Sequence, residues 1–202
     1  MPNAIYEYEE RAFLNEEQFL PIKEKLDSLA MHHEVDNKTS SFFVLPDVNV
    51  SIASSPTKTV IKYKGGQLGL GNGFEEIEIP IEQSSLSDSI KLFSTLLKTE
   101  PQVSEQFRIN YTLPSDIEIA LKYTQTWGFH LEAEKTYEHT ESLENVEQQA
   151  KEDLDALAKK LGISYIDDAT MDVSKRAWAA GEQFGAYSPD SFREKYGEYF
   201  HV

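Results

Sequence analysis

Pairs of glutamates separated by a single residue recur along the chain, and their spacing could support metal chemistry. They are Glu7/Glu9, Glu76/Glu78 and Glu132/Glu134. On a β-strand the side chains alternate between two faces, so the carboxylates of a pair point the same way, about 7 Å apart. At that spacing a pair can share one hard divalent cation, directly or through its waters. The alternative is that strands at the rim of a sheet simply present these glutamates to water.

Basic side chains fall on the same predicted strand faces as the glutamates. They are Arg11, Lys62, Lys64, Arg108 and Lys122, with His130 among them. Arginine and lysine make charge-assisted hydrogen bonds to phosphate oxygens, so they suit an anionic ligand held beside a metal. A lysine is also commonly just solvated, so Lys62 and Lys122 fit a surface role as well. We expect His130 to be a hydrogen-bonded structural residue rather than a ligand or a base.

The elements that must position these residues can be predicted from hydrophobic periodicity. Alternation with a period of two predicts strands over 4–14, 40–45, 48–53, 59–64, 74–81, 106–113, 117–122 and 129–136. Pro46-Asp47 is predicted to be a turn and Gly65 to Gly73 a glycine-rich loop. Helical spacing predicts helices that begin after Asn15 and over 85–98, 142–161, 171–180 and 188–200. Asn15 with Gln18 forms a capping-box pattern, and Gly162 stands where the third helix should end.

The charged strand faces all lie opposite apolar faces that the amphipathic helices can cover. About eight such strands can close into a barrel wide enough to hold a small ligand. We therefore predict an α+β fold: a closed, eight-stranded antiparallel barrel with a charged tunnel inside and helices packed on its outside. The alternative is an open sheet whose charged face meets solvent. The prediction treats 1–202 as a single domain with a C-terminal helical segment from about 168.

Composition limits the classes of function. The chain of 202 residues contains no cysteine, which excludes disulfides, thiolate metal sites and a cysteine nucleophile. Its formal net charge of -16 argues against a nucleic-acid partner, since binding to phosphate backbones depends on a clustered basic face. No leader and no apolar run of about 18 residues is found, so we expect a cytoplasmic protein with no membrane partner. Whether it forms a homodimer is left open.

Five short motifs, in order along almost the whole chain, resemble those of the CYTH domains, also called triphosphate tunnel metalloenzymes. Glu7-x-Glu9-x-Arg11 is similar to the ExExK signature of that family, with arginine in place of lysine. Tyr63-Lys64-Gly65 resembles the family's T-x-K-G strand and Glu76-x-Glu78 its later glutamate pair. Arg108 resembles its arginine before a strand, and 128–134 its G-x-F-x-E-x-E run.

The resemblance implies a role for each candidate residue. The six paired glutamates (Glu7, Glu9, Glu76, Glu78, Glu132 and Glu134) would bind Mg²⁺ or Mn²⁺. Arg11, Lys64 and Arg108 would clamp the triphosphate and act in catalysis, with Lys62, Lys122 and Lys175 as further substrate-binding residues. Members of the family hydrolyse inorganic or thiamine triphosphate, cap RNA or cyclise ATP. The resemblance thus implies a metal-dependent triphosphatase; an adenylyl cyclase and a catalytically silent binding module are the alternatives.

The sequence departs from the family pattern at positions that usually carry charge. Val50-Ser51-Ile52-Ala53 stands where the family reads L-R-I-R, so two tunnel arginines are replaced by Ser51 and Ala53. Phe74 replaces another arginine, and Lys122 replaces an aspartate. Each charge-assisted contact to phosphate contributes about 1.5–3 kcal/mol, so these losses predict weak, altered or absent catalysis.

Overall fold

The computed structural model describes residues 5–45, 48–65, 73–138 and 143–202. The predicted turn at Pro46-Asp47, most of the predicted glycine-rich loop (66–72) and the predicted first residue of the third helix, Ser142, lie outside the described residues. The side chain of Phe74 also lies outside them.

In the part of the chain that the structure describes, nine strands form one antiparallel sheet. They are β1 (Ile5–Phe13), β2 (His32–Val35), β3 (Lys38–Val44), β4 (Val48–Ser54), β5 (Thr59–Gly65), β6 (Gly73–Ile81), β7 (Gln102–Leu113), β8 (Ile117–Thr124) and β9 (Gly128–Glu138). Each of the eight predicted strands is confirmed, with ends that differ by a few residues. The short β2, which was not predicted as a separate strand, pairs with the second half of β7.

The sheet curls around the charged face of its strands. Its order is β2-β7-β3-β4-β5-β6-β1-β9-β8, and β8 also pairs with β7. Among the described residues, β1 pairs with β6 over Ile5 to Tyr8, and β3 pairs with β7 over Lys38 to Phe42. The wall is a curled half-barrel, and the prediction of a closed barrel is wrong. The α+β class and the antiparallel sheet are confirmed.

Among the described residues there are five α-helices: α1 (Glu16–Leu29), α2 (Leu86–Leu97), α3 (Leu143–Leu161), α4 (Asp168–Ala179) and α5 (Pro189–Phe200). Four of them lie along the outside of the curled sheet, and α4 lies over one end of the cavity inside it. Helix α1 begins at the predicted capping box, in which Asn15 and Gln18 satisfy each other's backbone N–H groups. Helix α3 ends at Gly162, whose φ of 77° is a left-handed conformation that suits glycine.

The hydrophobic core lies between the helices and the apolar outer faces of β1, β7, β8 and β9. Fully buried residues from both sides meet there, among them Phe19, Leu121, Leu131, Leu154 and Phe192. Helix α2 covers another part of the sheet, where Phe93 packs on Phe43 of β3 with ring centroids 5.8 Å apart. Because this core is outside the curl, the inner face is left to charged and polar side chains. Within the described ranges, none of the helices has the length and apolar character that crossing a membrane requires.

Candidate functional site

Three carboxylates meet on the inner face where β1 and β9 pair. The register sets Glu9 directly opposite Glu134, and Glu7 lies two residues earlier on the same face of β1. One carboxylate oxygen from each of the three lies within 4.8 Å of the others. Glu7 and Glu9 are both buried, each with 5% of its surface exposed. A set of three carboxylates is the kind of donor set that hard divalent cations such as Mg²⁺ and Mn²⁺ take, so these residues fit such an ion.

The charge of this trio is poorly compensated by the protein itself. Burial is the main reason that the pKa of Glu7 rises to about 10; Lys64 opposes this rise, whereas Glu134, Glu9 and Glu76 add to it. Burial likewise raises the pKa of Glu9, against the attraction of Arg11. A buried carboxyl group among other carboxylates favours its neutral form unless a cation joins it. Without a metal, Glu7 therefore holds a proton at neutral pH.

Arg11 links the trio to a second group of charges deeper in the cavity. Its guanidinium forms an ion pair with Glu9, and its Nε lies 3.1 Å from Glu132, which the β1–β9 register places opposite. Glu132 also pairs with the buried Lys122. Although burial opposes ionisation, Lys122 and Arg11 hold the pKa of Glu132 well below its usual range. Glu132 is therefore an ionised partner of two cations and lies apart from the trio.

Two lysines of β5 form the opposite wall of this charged region. Nζ of Lys64 lies 3.3 Å from Glu7, 3.5 Å from Glu9 and 2.9 Å from Glu76. Lys62 pairs with Glu76 at 3.0 Å and also with Glu78. Burial opposes ionisation of Glu76, but Lys64 and Lys62 lower its pKa to about 2. Glu76 is therefore held by lysines, and Glu78 lies nearer the surface, where its other partner is the exposed Lys58 at 3.8 Å.

Two further cations line the cavity beside β7. Arg108 donates from Nε to Asn110 at 2.7 Å and faces Lys122 across the β7–β8 pair. Lys38, which the sequence analysis missed, begins β3 and lines the same cavity. Burial, together with Arg108 and Lys122, lowers the pKa of Lys38 well below its usual value. Nothing in the local sequence marks Lys38, because it stands at the end of a strand rather than inside an alternating run.

The inner face encloses two connected spaces. A cavity of about 220 Å³ lies towards α4, and one of about 690 Å³ lies at the opposite mouth. The residues that line both are Glu7, Lys38, Lys62, Glu76, Arg108 and Glu134. Pockets for small ligands are typically about 300–1,000 Å³. These charged residues thus lie between the two cavities. Together the cavities have room for a ligand larger than a single phosphate.

Helix α4 lies over the smaller cavity. Its Lys175 and Trp178 line that cavity, together with Trp127 from the turn between β8 and β9. The segment after α4 is fastened to this turn, because Phe184 N–H donates to the carbonyl oxygen of Thr126 and Gly185 N–H to that of Gln125, each at 2.9 Å. Burial, with the nearby Arg11, lowers the pKa of Lys175 to about 8. Sequence reasoning missed Trp127 and Trp178, since a tryptophan in a turn or on a short helix carries no positional signal.

The inner wall also contains the positions where this chain lacks the two arginines of the family pattern. Ser51 and Ala53 are both buried and line the smaller cavity. The register places Ser51 beside Lys62 of β5 and Phe42 of β3. His130 is buried and lines the same cavity; its ring nitrogen Nδ1 lies 2.9 Å from the carbonyl oxygen of Gly128, and burial lowers its pKa to about 4. His130 is therefore neutral at pH 7.

The predicted site residues fall into groups according to their positions in the structure. Glu7, Glu9 and Glu134 converge as a carboxylate trio, whereas Glu76, Glu78 and Glu132 are paired with basic side chains. The predicted basic residues all line the smaller cavity: Arg11, Lys62, Lys64, Arg108, Lys122 and Lys175. Their roles in binding or catalysis stay predictions.

No family model matches the sequence, and no curated protein matches it significantly. Solved structures are similar in fold. The PH1012 protein from Pyrococcus horikoshii OT3 has a TM-score of 0.63 and 21% identity, over 78% of this chain and 91% of its own. HpAC1 from Hippeastrum is an adenylyl cyclase candidate reported to have a dominant triphosphatase activity. It has a TM-score of 0.55 and 15% identity, and the match covers 94% of this chain and 95% of HpAC1. An adenylate cyclase candidate from Vibrio parahaemolyticus has a TM-score of 0.57 and 16% identity, and the match covers 79% of this chain and 90% of the Vibrio chain. The resemblance to CYTH-type proteins is confirmed at the level of the fold.

Proposed function

We propose that this protein binds a small triphosphate in the charged cavity with the help of Mg²⁺ or Mn²⁺, and hydrolyses it. The observation that carries the proposal is the juxtaposition, within one cavity, of a three-carboxylate cluster and a row of buried cations. A polyphosphate needs positive charge on its oxygens, and a metal held by carboxylates can add to what the side chains supply. The likeness in fold to HpAC1, with its reported triphosphatase activity, supports the same reading.

The carboxylate trio would hold the metal, and the cations would hold the phosphoryl chain. When bound, a divalent cation neutralises phosphoryl oxygens and orients or activates a water molecule. Arg11 and Lys64 lie next to the trio and would bind the phosphate nearest to it, while Arg108 and Lys122 would bind further along the cavity. Fixed cations of this kind stabilise the charge that develops on the leaving group. The glutamates would act as ligands and not as nucleophiles.

The ion pairs of the cavity favour a second candidate, a catalytically silent module that binds a phosphorylated ligand. Arg11, Lys62, Lys64 and Lys122 each already have at least one glutamate partner. A triphosphate must share or displace these carboxylates, which reduces the net charge available to it. Ser51 and Ala53 remove two further cations from the wall. Such a site can retain binding while its rate of hydrolysis is low.

A screen for turnover tests the proposal. Phosphate release would be measured from inorganic triphosphate, thiamine triphosphate and the nucleoside triphosphates, with Mg²⁺ and with Mn²⁺. Release from at least one of them is expected. Pyrophosphate with a cyclic nucleotide as the products would instead identify a cyclase, and saturable binding without any product would identify the silent module.

Two lysine variants show whether any activity comes from this cavity. Lys64→Met removes the cation that contacts three glutamates and should lower kcat/KM by about 100-fold or more, as the loss of a preorganised charge does elsewhere. Lys159→Met, on the exposed side of α3, is the matched control and should leave kcat/KM unchanged. Equal activity in the two variants would place the activity outside the cavity and overturn the proposal.

A further inference from the structure

Lys38 lines both cavities but has no carboxylate partner among the residues that the structure describes. It begins β3, opposite Gln106 of β7, and is half-buried where the two cavities meet. Its side chain forms no hydrogen bond and no ion pair within the described ranges. In contrast, Lys62, Lys64 and Lys122 each form an ion pair with a glutamate. The amine of Lys38 is therefore available to a ligand.

The surroundings of the Lys38 amine disfavour its charged form. Burial is the largest cause, and three cations from three other strands add to it: Arg108 of β7, Lys122 of β8 and Lys62 of β5. Asp36, two residues earlier in the chain, acts in the opposite direction. Together they lower the pKa of Lys38 well below its usual value. A lysine that is desolvated beside other cations keeps a neutral amine, which is the nucleophilic form.

The same surroundings stabilise a negative charge at the end of this side chain. A fourth ammonium group among three cations is repelled, whereas an anion at the same position is attracted by them. The guanidinium of Arg108 and the ammonium of Lys122 can also donate charge-assisted hydrogen bonds to a group that resembles a carboxylate. A reaction that converts the neutral amine into an anion is therefore favoured at Lys38, because its reactant is uncharged and its product gains partners.

We propose that Lys38 binds carbon dioxide covalently, as a carbamate that pairs with Arg108 and Lys122. The lone pair of Nζ attacks the carbon of carbon dioxide and forms the N–C bond, while the electron pair of one C=O π bond moves to its oxygen. Nζ then releases a proton to solvent, and the product is an N-carboxylate with one negative charge. The step needs no oxidant and no reductant. This inference goes beyond the proposed function and does not rest on it.

The other lysines that line the smaller cavity are less suited to this reaction. Although burial opposes ionisation of Lys62 and Lys64, their glutamate partners raise the pKa of both. Lys122 is held by a glutamate, and Nζ of Lys175 is buried away from solvent. At about pH 7.4, an exposed lysine is neutral in only about 1 molecule in 1,000. The reaction should therefore select Lys38.

Chemical trapping on the full chain tests the inference. The protein would be equilibrated at neutral pH with carbon dioxide and bicarbonate labelled with ¹³C, and then treated with triethyloxonium, which converts a carbamate into a stable ethyl ester. Peptide mass spectrometry should find the labelled ester at Lys38. The ¹³C NMR spectrum of the untreated protein should contain a carbamate resonance whose intensity rises with the concentration of carbon dioxide.

Three variants connect the signal to Lys38 and its surroundings. Lys38→Arg keeps a positive charge but removes the reactive amine, so the resonance should disappear. Lys91→Arg makes the same change at an exposed position on α2 and should keep it. Arg108→Gln removes one cation that pairs with the carbamate and should lower the trapped yield at Lys38 by about 10-fold or more, the loss of one charge-assisted contact.

The outcomes separate this inference from the proposed function. The absence of label at Lys38, or label at other amines alone, would overturn the inference, because Lys38 would then be protonated or closed to carbon dioxide. An undiminished yield in Arg108→Gln would also overturn it, since the neighbouring cations would not stabilise the product. Neither result bears on phosphate release from triphosphates, which is measured separately. The position of the label in the wild-type protein decides the matter even if a variant does not fold.

Discussion

Glu7 is buried and lies near other carboxylates, and this environment explains why a cation suits its position. Lys64 lies 3.3 Å away, yet burial and the neighbouring glutamates still raise the pKa of Glu7 to about 10, from an ordinary value of 4.5. The unfolded chain would ionise this group at its ordinary value. The protein therefore folds around a protonated carboxyl group, and metal binding must expel that proton.

The stability of the metal-free protein should accordingly fall with pH through this group. Since the pKa of Glu7 is higher in the folded state, its contribution is complete below pH 4.5 and is lost as the pH rises towards 10. In EDTA, the free energy of unfolding of the wild type should decline relative to that of Glu7→Gln by up to about 1.4 kcal/mol per pH unit. Urea unfolding between about pH 5.5 and 9 measures this difference.

The control for that series is Glu24→Gln, which removes an exposed glutamate of α1 and should run parallel to the wild type at every pH. Parallel curves for Glu7→Gln and the wild type would mean that Glu7 is ionised in the folded, metal-free protein. The absence of a metal would then not destabilise the trio electrostatically.

Ser51 and Ala53 set the charge deficit of the cavity, and restoring arginine at both should increase activity on inorganic triphosphate. Both side chains face the cavity, and Ser51 lies beside Lys62, so two guanidinium groups would extend an existing row of cations. Ser51→Arg/Ala53→Arg should raise kcat/KM for inorganic triphosphate by about 10-fold or more if a preorganised clamp is what is lacking. Steady-state phosphate release measures the change.

Ser51→Gln/Ala53→Gln supplies similar bulk without charge and should not reproduce the gain. A folded arginine variant without activity on any triphosphate would indicate that hydrolysis is not the role of this protein and would favour the silent module.

Among the elements, α5 is the one whose packing most directly supports the site from outside. Its Phe192 is fully buried, and its ring lies 4.6 Å from that of Phe107 on β7 and 4.1 Å from that of Tyr123 on β8, centroid to centroid. The inward faces of the same two strands carry Arg108 and Lys122. Helix α5 thus fixes the strands that present these cations.

Removing the Phe192 ring should therefore destabilise the fold as a core truncation does. Phe192→Ala should lower the free energy of unfolding by about 3–5 kcal/mol, measured by urea denaturation. Phe184→Ala is the matched control, because Phe184 is 57% exposed and its loss should cost less than about 0.5 kcal/mol. Similar losses for the two variants would show that α5 is not part of the cooperative core.

The elements were largely predictable from the sequence because their local patterns agree with the fold. The period of two along β1 correctly placed Glu7 and Arg11 on one face and Tyr8 on the other, where it joins the core. The Asn15–Gln18 capping box predicted where α1 begins, and Gly162 predicted where α3 ends. These signals are local, so one sequence is enough to read them.

The details that the sequence could not provide depend on pairing and curvature. Glu134 joins the trio and Glu132 joins Lys122 because the register sets Glu9 opposite Glu134 and Arg11 opposite Glu132, and nothing within β9 distinguishes the two. The curvature that makes the sheet a half-barrel is likewise a property of how the strands pair. The same holds for α4, since its placement over the cavity depends on how the segment after it binds the β8–β9 turn.

At the scale of the whole molecule, charge works against an anionic ligand. The chain carries a net charge of -16, and Arg11, Lys62, Lys64 and Lys122 in the cavity are each already paired with a glutamate of the same inner face. Exposed charges act over about 8–10 Å at physiological salt, so a triphosphate entering the cavity meets little net attraction from the protein alone. Positive charge from a divalent cation on the trio would change this balance where the phosphates lie.

Triphosphate binding should consequently depend on the metal, and the metal should by itself stabilise the fold. In Mg²⁺ at about 100 times its Kd, mass action predicts a stabilisation of about 2.7 kcal/mol, measured as a rise in Tm over EDTA. Glu9→Gln, which removes a buried ligand of the trio, should lose most of this rise, whereas Glu78→Gln, whose carboxylate lies outside the trio, should keep it. In a separate calorimetric titration, the Kd for triphosphate should be about 100-fold or more higher in EDTA than in Mg²⁺, because removing the metal costs about two charge-assisted contacts. Equal affinity with and without the metal would mean that the triphosphate replaces the glutamates as the partner of the lysine and arginine side chains. The trio would then have another role.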